Sequence, residues 1–101
     1  MIRPKHTRKD RNHSDIVTAA REFGIVVWDT ADIGGRVLDT LMCWRGRCIP
    51  VEIKARGHLN DLTEGEREGI AELAAVGVRA IVATQIEDIV SEWLEWEAKR
   101  D

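Results

Sequence analysis

The sequence predicts a single α/β domain with a mixed four-stranded sheet flanked by helices. Three observations support this fold class. Short runs rich in β-branched residues recur along the chain and indicate strands. Other segments repeat apolar residues at helical spacing. The 101 residues, 44% of them hydrophobic, supply enough apolar surface for one core and too little length for two.

The first predicted helix covers residues 13–23 and precedes all of the strands. Asn12 or Ser14 is a suitable N-cap, and Gly24 is a suitable C′ residue that ends the helix. The apolar residues of this segment follow helical spacing: Ile16, Val17, Ala20 and Phe23.

Three strands are predicted next. Residues 25–28 are β-branched and aromatic and lie between a glycine and a polar pair, which is typical of a first strand. Residues 37–44 and 47–54 flank Arg45-Gly46, a suitable two-residue hairpin loop. These two segments are therefore the second and third strands.

The second predicted helix follows a polar loop at residues 55–62. Thr63 and Glu66 match a capping box, in which the threonine caps the helix and the glutamate reaches back. The helix ends at Gly77. Its predicted apolar stripe consists of Ile70, Leu73, Ala74 and Val76.

The chain ends with a fourth strand at residues 78–83 and a last helix. Thr84 and Glu87 match a second capping box at the start of that helix. Trp93 and Trp96 lie on or beside its apolar face, and we expect at least one of them to lie in a dimer interface. The apolar face itself consists of Ile86, Ile89, Val90, Trp93 and Leu94.

The hairpin brings two carboxylates together. A two-residue loop at Arg45-Gly46 makes each cross-strand pair sum to 91, so Asp39 lies opposite Glu52. Lys54 shares their face, because side chains two apart on a strand point the same way. The two negative charges repel each other unless a cation such as Mg²⁺ lies between them.

Two alternatives to this metal site remain open from the residues alone. Pro50 cannot donate to the ladder, and a bulge there would slip the register and separate Asp39 from Glu52. Glu52 and Lys54 are also compatible with an ordinary ion pair on a solvated face of the sheet.

The two cysteines of the chain are Cys43 and Cys48. They lack the spacing of a zinc site, and we interpret them as small, reduced core residues. The same register places them opposite each other, so a cross-strand disulfide is geometrically conceivable in oxidising conditions. No apolar run is long enough to span a bilayer or to form a signal peptide, so we expect a cytoplasmic protein with no membrane partner.

The net charge of −3 is unevenly distributed. Residues 1–11 carry a balance of +4 and the remaining residues −7. A basic N-terminal arm ahead of an acidic domain at residues 12–101 indicates contact with nucleic acid, and the alternative is a passive tail. The basic residues of the arm are Arg3, Lys5, Arg8, Lys9 and Arg11.

Four segments resemble the stand-alone VRR-NUC domains of phages and bacteria, within the PD-(D/E)xK nuclease superfamily. They are Gly-Gly-Arg-Val-Leu-Asp at 34–39, Val-Glu-Ile-Lys-Ala at 51–55, Leu-Thr-Glu-Gly-Glu at 62–66 and Gly-Val-Arg-Ala at 77–80. The resemblance implies a restriction-endonuclease-like fold with an αβββαβ core. It also implies a structure-selective DNA endonuclease that uses Mg²⁺ or Mn²⁺ in the cytoplasm of a bacterium or a phage-infected host. Compact members are similar to Holliday junction resolvases and act as homodimers.

The resemblance also implies roles for individual residues. The catalytic set falls on Asp39, Glu52 and Lys54, and the metal ligands fall on Asp39, Glu52, Ile53 and Asp15. Glu66 stands where a glutamine is usual, so it is either an accessory residue or only a helix cap. Two further departures are Leu38 in place of a proline and Asp15 in place of a longer glutamate.

Basic residues near this set are candidates for contact with DNA. Arg36 precedes the second strand, Arg56 and His58 follow Lys54, and Arg8, Lys9 and Arg11 belong to the arm. Branched DNA is the expected partner. The alternatives are a less selective nicking or flap-cutting repair nuclease and a non-catalytic DNA-binding or interaction module on the same fold.

Overall fold

The structure of the protein is a computed structural model that describes residues 10–100. Three helices and four strands lie within this range, in the order that the sequence predicts. The elements are α1 (His13–Glu22), β1 (Val26–Asp29), β2 (Thr40–Trp44), β3 (Arg47–Ile53), α2 (Glu64–Ala75), β4 (Ile81–Ala83) and α3 (Ile86–Lys99).

The four strands form one mixed sheet in the order β1-β2-β3-β4. The pairs β1-β2 and β2-β3 are antiparallel, and β4 runs parallel to β3. Arg45 and Gly46 both have positive φ, 50° and 80°, which is the backbone of a two-residue hairpin turn. The pairing of Trp44 with Arg47 and of Thr40 with Val51 confirms the predicted register.

Pro50 does not shift that register. It pairs with Leu41 in an unbroken ladder. Opposed residues of an antiparallel pair alternate between hydrogen-bonded pairs and closer, non-hydrogen-bonded pairs. Cys43 and Cys48 have Cα atoms only 4.0 Å apart and form a close pair. Leu41 and Pro50, two residues further on, are a pair of the same kind, so β2 requires no N–H from the proline.

One face of the sheet, the core face, packs against α1 and α3. Strand periodicity sends alternate side chains into this core, which is almost entirely aliphatic. Trp93 of α3 is fully buried in this core, and its Nε1 donates to the carbonyl oxygen of Trp44 at 2.7 Å. The core consists of Ile16, Val17, Ala20, Ile25, Val27, Met42, Ile49, Val51, Ile53, Ile81, Ala83, Ile89 and Trp93.

The prediction of a dimer interface on α3 is therefore wrong for Trp93, because its side chain is buried in the core of the protein itself. Trp96 is half-buried and packs against the same core, with the guanidinium groups of Arg47 and Arg100 over its ring. Leu94, of the predicted apolar face of α3, is 50% exposed. Trp28 is 65% exposed on the opposite face of the sheet, which we call the site face.

The cysteines occupy the site face and form a disulfide. The interpretation of them as reduced core residues is wrong, because Cys48 is exposed and the register sets it directly opposite Cys43. The capping box at Thr84 is also wrong in detail. Gln85 is the N-cap of α3, and the Thr84 backbone N–H donates to Asp88 Oδ2 at 3.0 Å.

Helix α2 packs against the backbone of the turn before β2 through two glycines, and not through its apolar stripe. An added Cβ at Gly69 would lie 2.1 Å from the carbonyl oxygen of Arg36, and one at Gly65 would lie 2.7 Å from that of Gly35. The predicted stripe is not buried: Ile70 and Leu73 are half-buried, and Ala74 and Val76 are exposed. The helix sits against the turn that precedes β2.

No helix within residues 10–100 is long and apolar enough to cross a membrane.

Candidate active site

Asp39 and Glu52 lie side by side where β2 begins and β3 ends. The Asp39 backbone N–H donates to Glu52 Oε1 at 3.2 Å. The Ile53 backbone N–H in turn donates to Asp39 Oδ2 at 3.0 Å. Each carboxylate is thus fixed by the backbone of the strand opposite, which is the consequence of the hairpin register. The two acids that sequence reasoning selects are brought together.

Lys54 completes this group from the end of β3. Its Nζ lies 3.7 Å from Glu52 Oε2 and 3.0 Å from Glu66 Oε1. Glu52 and Lys54 are only 2% and 8% exposed. An ordinary pair on a solvated face would be far more exposed, so the alternative of a surface ion pair is wrong. The Lys54 backbone N–H donates to the Ala83 carbonyl oxygen at 2.9 Å, which ties the lysine to β4.

Glu66 has two partners of different kinds. Its Oε1 accepts the Thr63 backbone N–H at 2.9 Å, and the Glu66 backbone N–H donates to Thr63 Oγ1 at 3.1 Å, so the predicted capping box is confirmed. The same carboxylate pairs with Lys54. Glu66 therefore caps α2 and also contacts Lys54, and its accessory role in the site stays a prediction.

The electrostatics of the group favour one bound proton. Burial, the Glu66 carboxyl and the Asp39 charge together raise the pKa of Glu52 from 4.5 to about 9. Burial also raises the pKa of Asp39. At neutral pH Glu52 thus keeps a proton in the absence of a metal, because two adjacent buried carboxylates cannot both be charged.

The pKa values of the neighbouring Glu66 and Lys54 shift in opposite directions, and each shift favours the charged form of its group. Burial opposes the charged form of Glu66, but its bonds with Glu52, the Thr63 N–H and Lys54 outweigh burial and lower its pKa. Burial likewise disfavours the charged form of Lys54, but Glu66 and Glu52 outweigh it and raise the pKa of the ammonium. The lysine therefore stays charged beside the acids.

His13 also belongs to this group, although sequence reasoning does not select it. It is 2% exposed, and its Nε2 lies 3.0 Å from Asp29 Oδ2. Its Nδ1 lies 4.0 Å from Asp39 Oδ2. A signal is present in the sequence, since His13 precedes Ile16, Val17 and Ala20 at helical spacing and so occupies the buried stripe of α1.

Asp15, on the same helix, is exposed and lines a surface cavity together with Arg11, Arg56 and His58. The structure brings His13, and not Asp15, up to Asp39. A metal contact by Asp15 stays a prediction that depends on the resemblance alone.

Basic and acidic groups line the exposed end of the site. A cavity of about 320 Å³ is lined by Lys54, Arg11 and His58 together with Asp10, Ala55 and Asp61. The Ala55 backbone N–H donates to Asp10 Oδ2, so the last residues of the predicted arm already belong to the domain. This cavity is the opening through which Lys54 meets solvent.

The other selected basic residues are held by neighbours or lie elsewhere. Arg36 pairs with Glu72 at 3.2 Å and with Glu68 at 3.6 Å on α2. Arg56 donates to Gln85 Oε1 at 2.8 Å, and His58 Nδ1 lies 2.7 Å from Asp61 Oδ2. Arg8 and Lys9 lie outside the described residues.

The acids fit a hard divalent ion with few protein ligands. Residues 10–100 contain no group of three or more His, Cys, Asp or Glu side chains arranged to hold a metal. Mg²⁺, however, is commonly bound by one or two carboxylates, with water and substrate phosphate as its other ligands. Asp39 and Glu52 meet that need, and the repulsion that keeps a proton on Glu52 is what a cation would relieve. Ile53 has its side chain in the core, so only its backbone oxygen is available to a metal.

Comparison of the chain with protein-family models, with curated proteins and with solved structures gave no match.

Proposed function

We propose that this protein is a metal-dependent DNA endonuclease with a restriction-endonuclease-like fold. The observation that carries the proposal is the buried group of Asp39, Glu52 and Lys54 at the end of the hairpin. Two carboxylates and an ammonium held together out of water are costly to desolvate, and no purely structural need in the sheet accounts for them. Perturbed ionisable groups beside a cavity are typical of a catalytic site.

Asp39 and Glu52 are the proposed ligands of Mg²⁺, with Mn²⁺ as a substitute. When bound, such an ion polarises the phosphate and lowers the pKa of a coordinated water. The carboxylates are already oriented by the backbone N–H groups of Ile53 and Asp39. Glu52 must lose its proton to bind, so metal binding and deprotonation are linked.

Lys54 is the proposed stabiliser of negative charge on the phosphate in the transition state. Its position between Glu52 and Glu66 fixes the direction of the ammonium before substrate arrives. Such preorganised charge acts most strongly where water is excluded, and Lys54 is nearly buried. Glu66 is a positioning residue in this scheme.

The cavity offers basic groups to the phosphates of a polyanionic substrate, beside the acidic Asp10 and Asp61 of the same lining. Arg11 and His58 line it with Lys54, and Arg56 lies on the adjoining cavity. Phosphate contacts of this kind position a nucleic acid without reading its sequence. The residues of the arm that carry further positive charge extend the same interaction.

Branched DNA, such as a four-way junction, is the proposed substrate, cut by a homodimer. A junction has approximate two-fold symmetry and needs two cuts, which two sites related by an isologous interface can supply. Trp28 and Val37 are exposed and line one largely apolar cavity together with Leu41 and Pro50, so we place the dimer contact there and not on α3.

Two other functions compete with junction cleavage. A nicking or flap-cutting nuclease needs the same chemistry and no dimer. A non-catalytic module needs neither the metal nor the lysine. The intact set of Asp39, Glu52 and Lys54 argues against the module.

The experiment is a cleavage panel with plain duplex, flap, single-stranded and four-way DNA, each with Mg²⁺ and with a chelator. We expect Mg²⁺-dependent cleavage that is fastest on four-way DNA, together with a dimer mass in light scattering. Equal rates on every shape by a monomer would favour the less selective nuclease. Binding of DNA without cleavage, whichever metal is added, would favour the non-catalytic module.

A further inference from the structure

Asn12 stands at the N-cap of α1, but its side chain does not cap that helix. An asparagine at this position normally uses its side-chain oxygen to accept a backbone N–H of the first turn. Here the side-chain amide instead donates to the carbonyl oxygens of Lys54 at 3.0 Å and of Thr84 at 2.9 Å. One side chain therefore joins the start of α1 to the residues that directly follow β3 and β4.

The two carbonyl oxygens fix the orientation of this amide. A carbonyl oxygen only accepts hydrogen bonds, so the NH₂ group of Asn12 must face both of them. The amide oxygen then points away, and within residues 10–100 this buried Oδ1 has no hydrogen-bond partner. A buried acceptor without a partner is unfavourable and calls for an explanation. The bonds to Lys54 and Thr84 are thus made at a position that does not satisfy the rest of the amide.

The peptide unit that joins Lys54 to Ala55 is held on both sides. Its carbonyl oxygen accepts from the Asn12 side chain. Its N–H donates to Asp10 Oδ2. The N–H of Lys54, which belongs to the preceding peptide unit, donates to the Ala83 carbonyl oxygen at 2.9 Å. Because the peptide units on both sides of its Cα are fixed, Lys54 has a fixed Cα–Cβ direction, from which the ammonium extends to its two carboxylate partners.

We propose that Asn12 and Asp10 are positioning residues for Lys54 and form a clamp on the peptide that follows it, which fixes the ammonium before substrate arrives. This inference rests on the proposed function, because it concerns how the proposed stabiliser of the transition state is held. Such a group must be held within about 0.5 Å of its productive position, and a misplacement of about 1 Å can cost about 100-fold in rate. Arg11 lies between the two clamp residues and lines the same cavity as Lys54, so the clamp also sets the spacing of two phosphate contacts.

The test is a double-mutant cycle in single-turnover cleavage by the full chain with Mg²⁺, on the DNA that the wild type cleaves fastest. Asn12→Ala is made in the wild type and in Lys54→Ala. We expect it to slow cleavage by about 10-fold or more in the wild type and by less than about twofold in Lys54→Ala, because residues that act together are not additive. A purely structural role would slow both backgrounds by the same factor, and that result would overturn the proposal. Thr18→Ala, at an exposed position of α1, is the control and should leave the rate unchanged.

Two further measurements separate positioning from a loss of fold or of metal binding. The rise in melting temperature with Ca²⁺ should be as large in Asn12→Ala as in the wild type, because Asp39 and Glu52 keep their own backbone hydrogen bonds. Asp10→Ala releases the other side of the same peptide unit and should show the same coupling to Lys54. It therefore tests the clamp by the same criterion even if Asn12→Ala fails to fold.

Nuclear magnetic resonance tests the clamp without any cleavage. In protein made with ¹⁵N-lysine, an ammonium held between two carboxylates exchanges its hydrogens with water slowly enough to be observed, and Lys54→Ala identifies its signal among the lysines of the chain. We expect this signal in the wild type and its shift or broadening in Asn12→Ala. An unchanged signal would reject the clamp and leave the nuclease proposal standing. If the signal shifts but no DNA is cleaved with any metal, the nuclease proposal fails and the clamp on the lysine remains.

Discussion

The ammonium of Lys54 lies 3.0 Å from the Glu66 carboxylate that caps helix α2. The Glu66 side chain thus caps α2 and also holds the candidate catalytic lysine, which lies at the end of β3. The position of α2 is consequently coupled to the site, and α2 is itself seated by two glycines against the turn before β2.

A first prediction follows for Gly69, which packs against the backbone of Arg36. Gly69→Ala places a Cβ 2.1 Å from the Arg36 carbonyl oxygen, a contact that the backbone relieves only by moving α2 away. We expect a loss of about 1–3 kcal/mol of stability, as for other overpacking substitutions, and slower cleavage because Glu66 shifts from Lys54. Urea unfolding and a cleavage assay measure both. Arg67→Ala, at an exposed position of the same helix, is the control and should change neither.

A second prediction concerns Lys54, whose proposed role is in the transition state and not in metal binding. Lys54→Ala should lower the cleavage rate by about 10²-fold or more, as for loss of one electrostatic stabiliser. The rise in melting temperature with Ca²⁺ should persist, because Asp39 and Glu52 remain. If the metal effect disappears together with the activity, Lys54 is only a structural partner of Glu52.

A third prediction concerns pH in the absence of metal. The pKa of Glu52 is raised in the folded state from 4.5 to about 9. Between these values the folded protein holds a proton that the unfolded chain has lost, so stability falls as pH rises. Urea unfolding in EDTA should therefore show lower stability at pH 8.5 than at pH 6. Glu52→Gln should remove most of this slope, and a slope that is equal in both proteins would contradict the assignment of the proton.

A fourth prediction concerns the basic arm. Asp10 and Arg11 belong to the domain, so the suitable deletion removes residues 1–9 only. Those residues include Arg3, Lys5, Arg8 and Lys9. For every phosphate that the shortened protein no longer neutralises, the slope of log affinity against log salt should become shallower by about 0.9 on duplex DNA. An unchanged slope in binding assays over a range of salt concentrations would make the arm a passive tail.

The hairpin and the element order can be predicted from the sequence because they depend on local signals. Arg45-Gly46 accommodates positive φ at both positions, and the strands on either side alternate regularly, so the register and the meeting of Asp39 with Glu52 follow. Glu66 is recognisable as a cap for the same reason. Its interaction with Lys54 depends on where α2 lies, which no local pattern reveals.

The remaining features depend on packing between distant elements. The apolar stripe of α2 implies burial, but Gly65 and Gly69 bring the helix in against backbone instead. Trp93 lies on an amphipathic face, and periodicity cannot tell whether that face meets a core or a partner. His13 escapes sequence reasoning because a single histidine on a helix says nothing about Asp29 and Asp39 until the chain is folded.

The most direct measurement for the proposed metal chemistry compares Glu52→Gln with the wild type in two assays, Mg²⁺-dependent DNA cleavage and the change in melting temperature with Mg²⁺ or Ca²⁺. Glu68→Gln, an exposed glutamate on α2, is the matched control. A metal that binds only the native state raises the melting temperature. We expect the wild type and the control to show both effects and Glu52→Gln to show neither. Full Mg²⁺-dependent activity in Glu52→Gln would contradict the assignment of this carboxylate pair as the metal site.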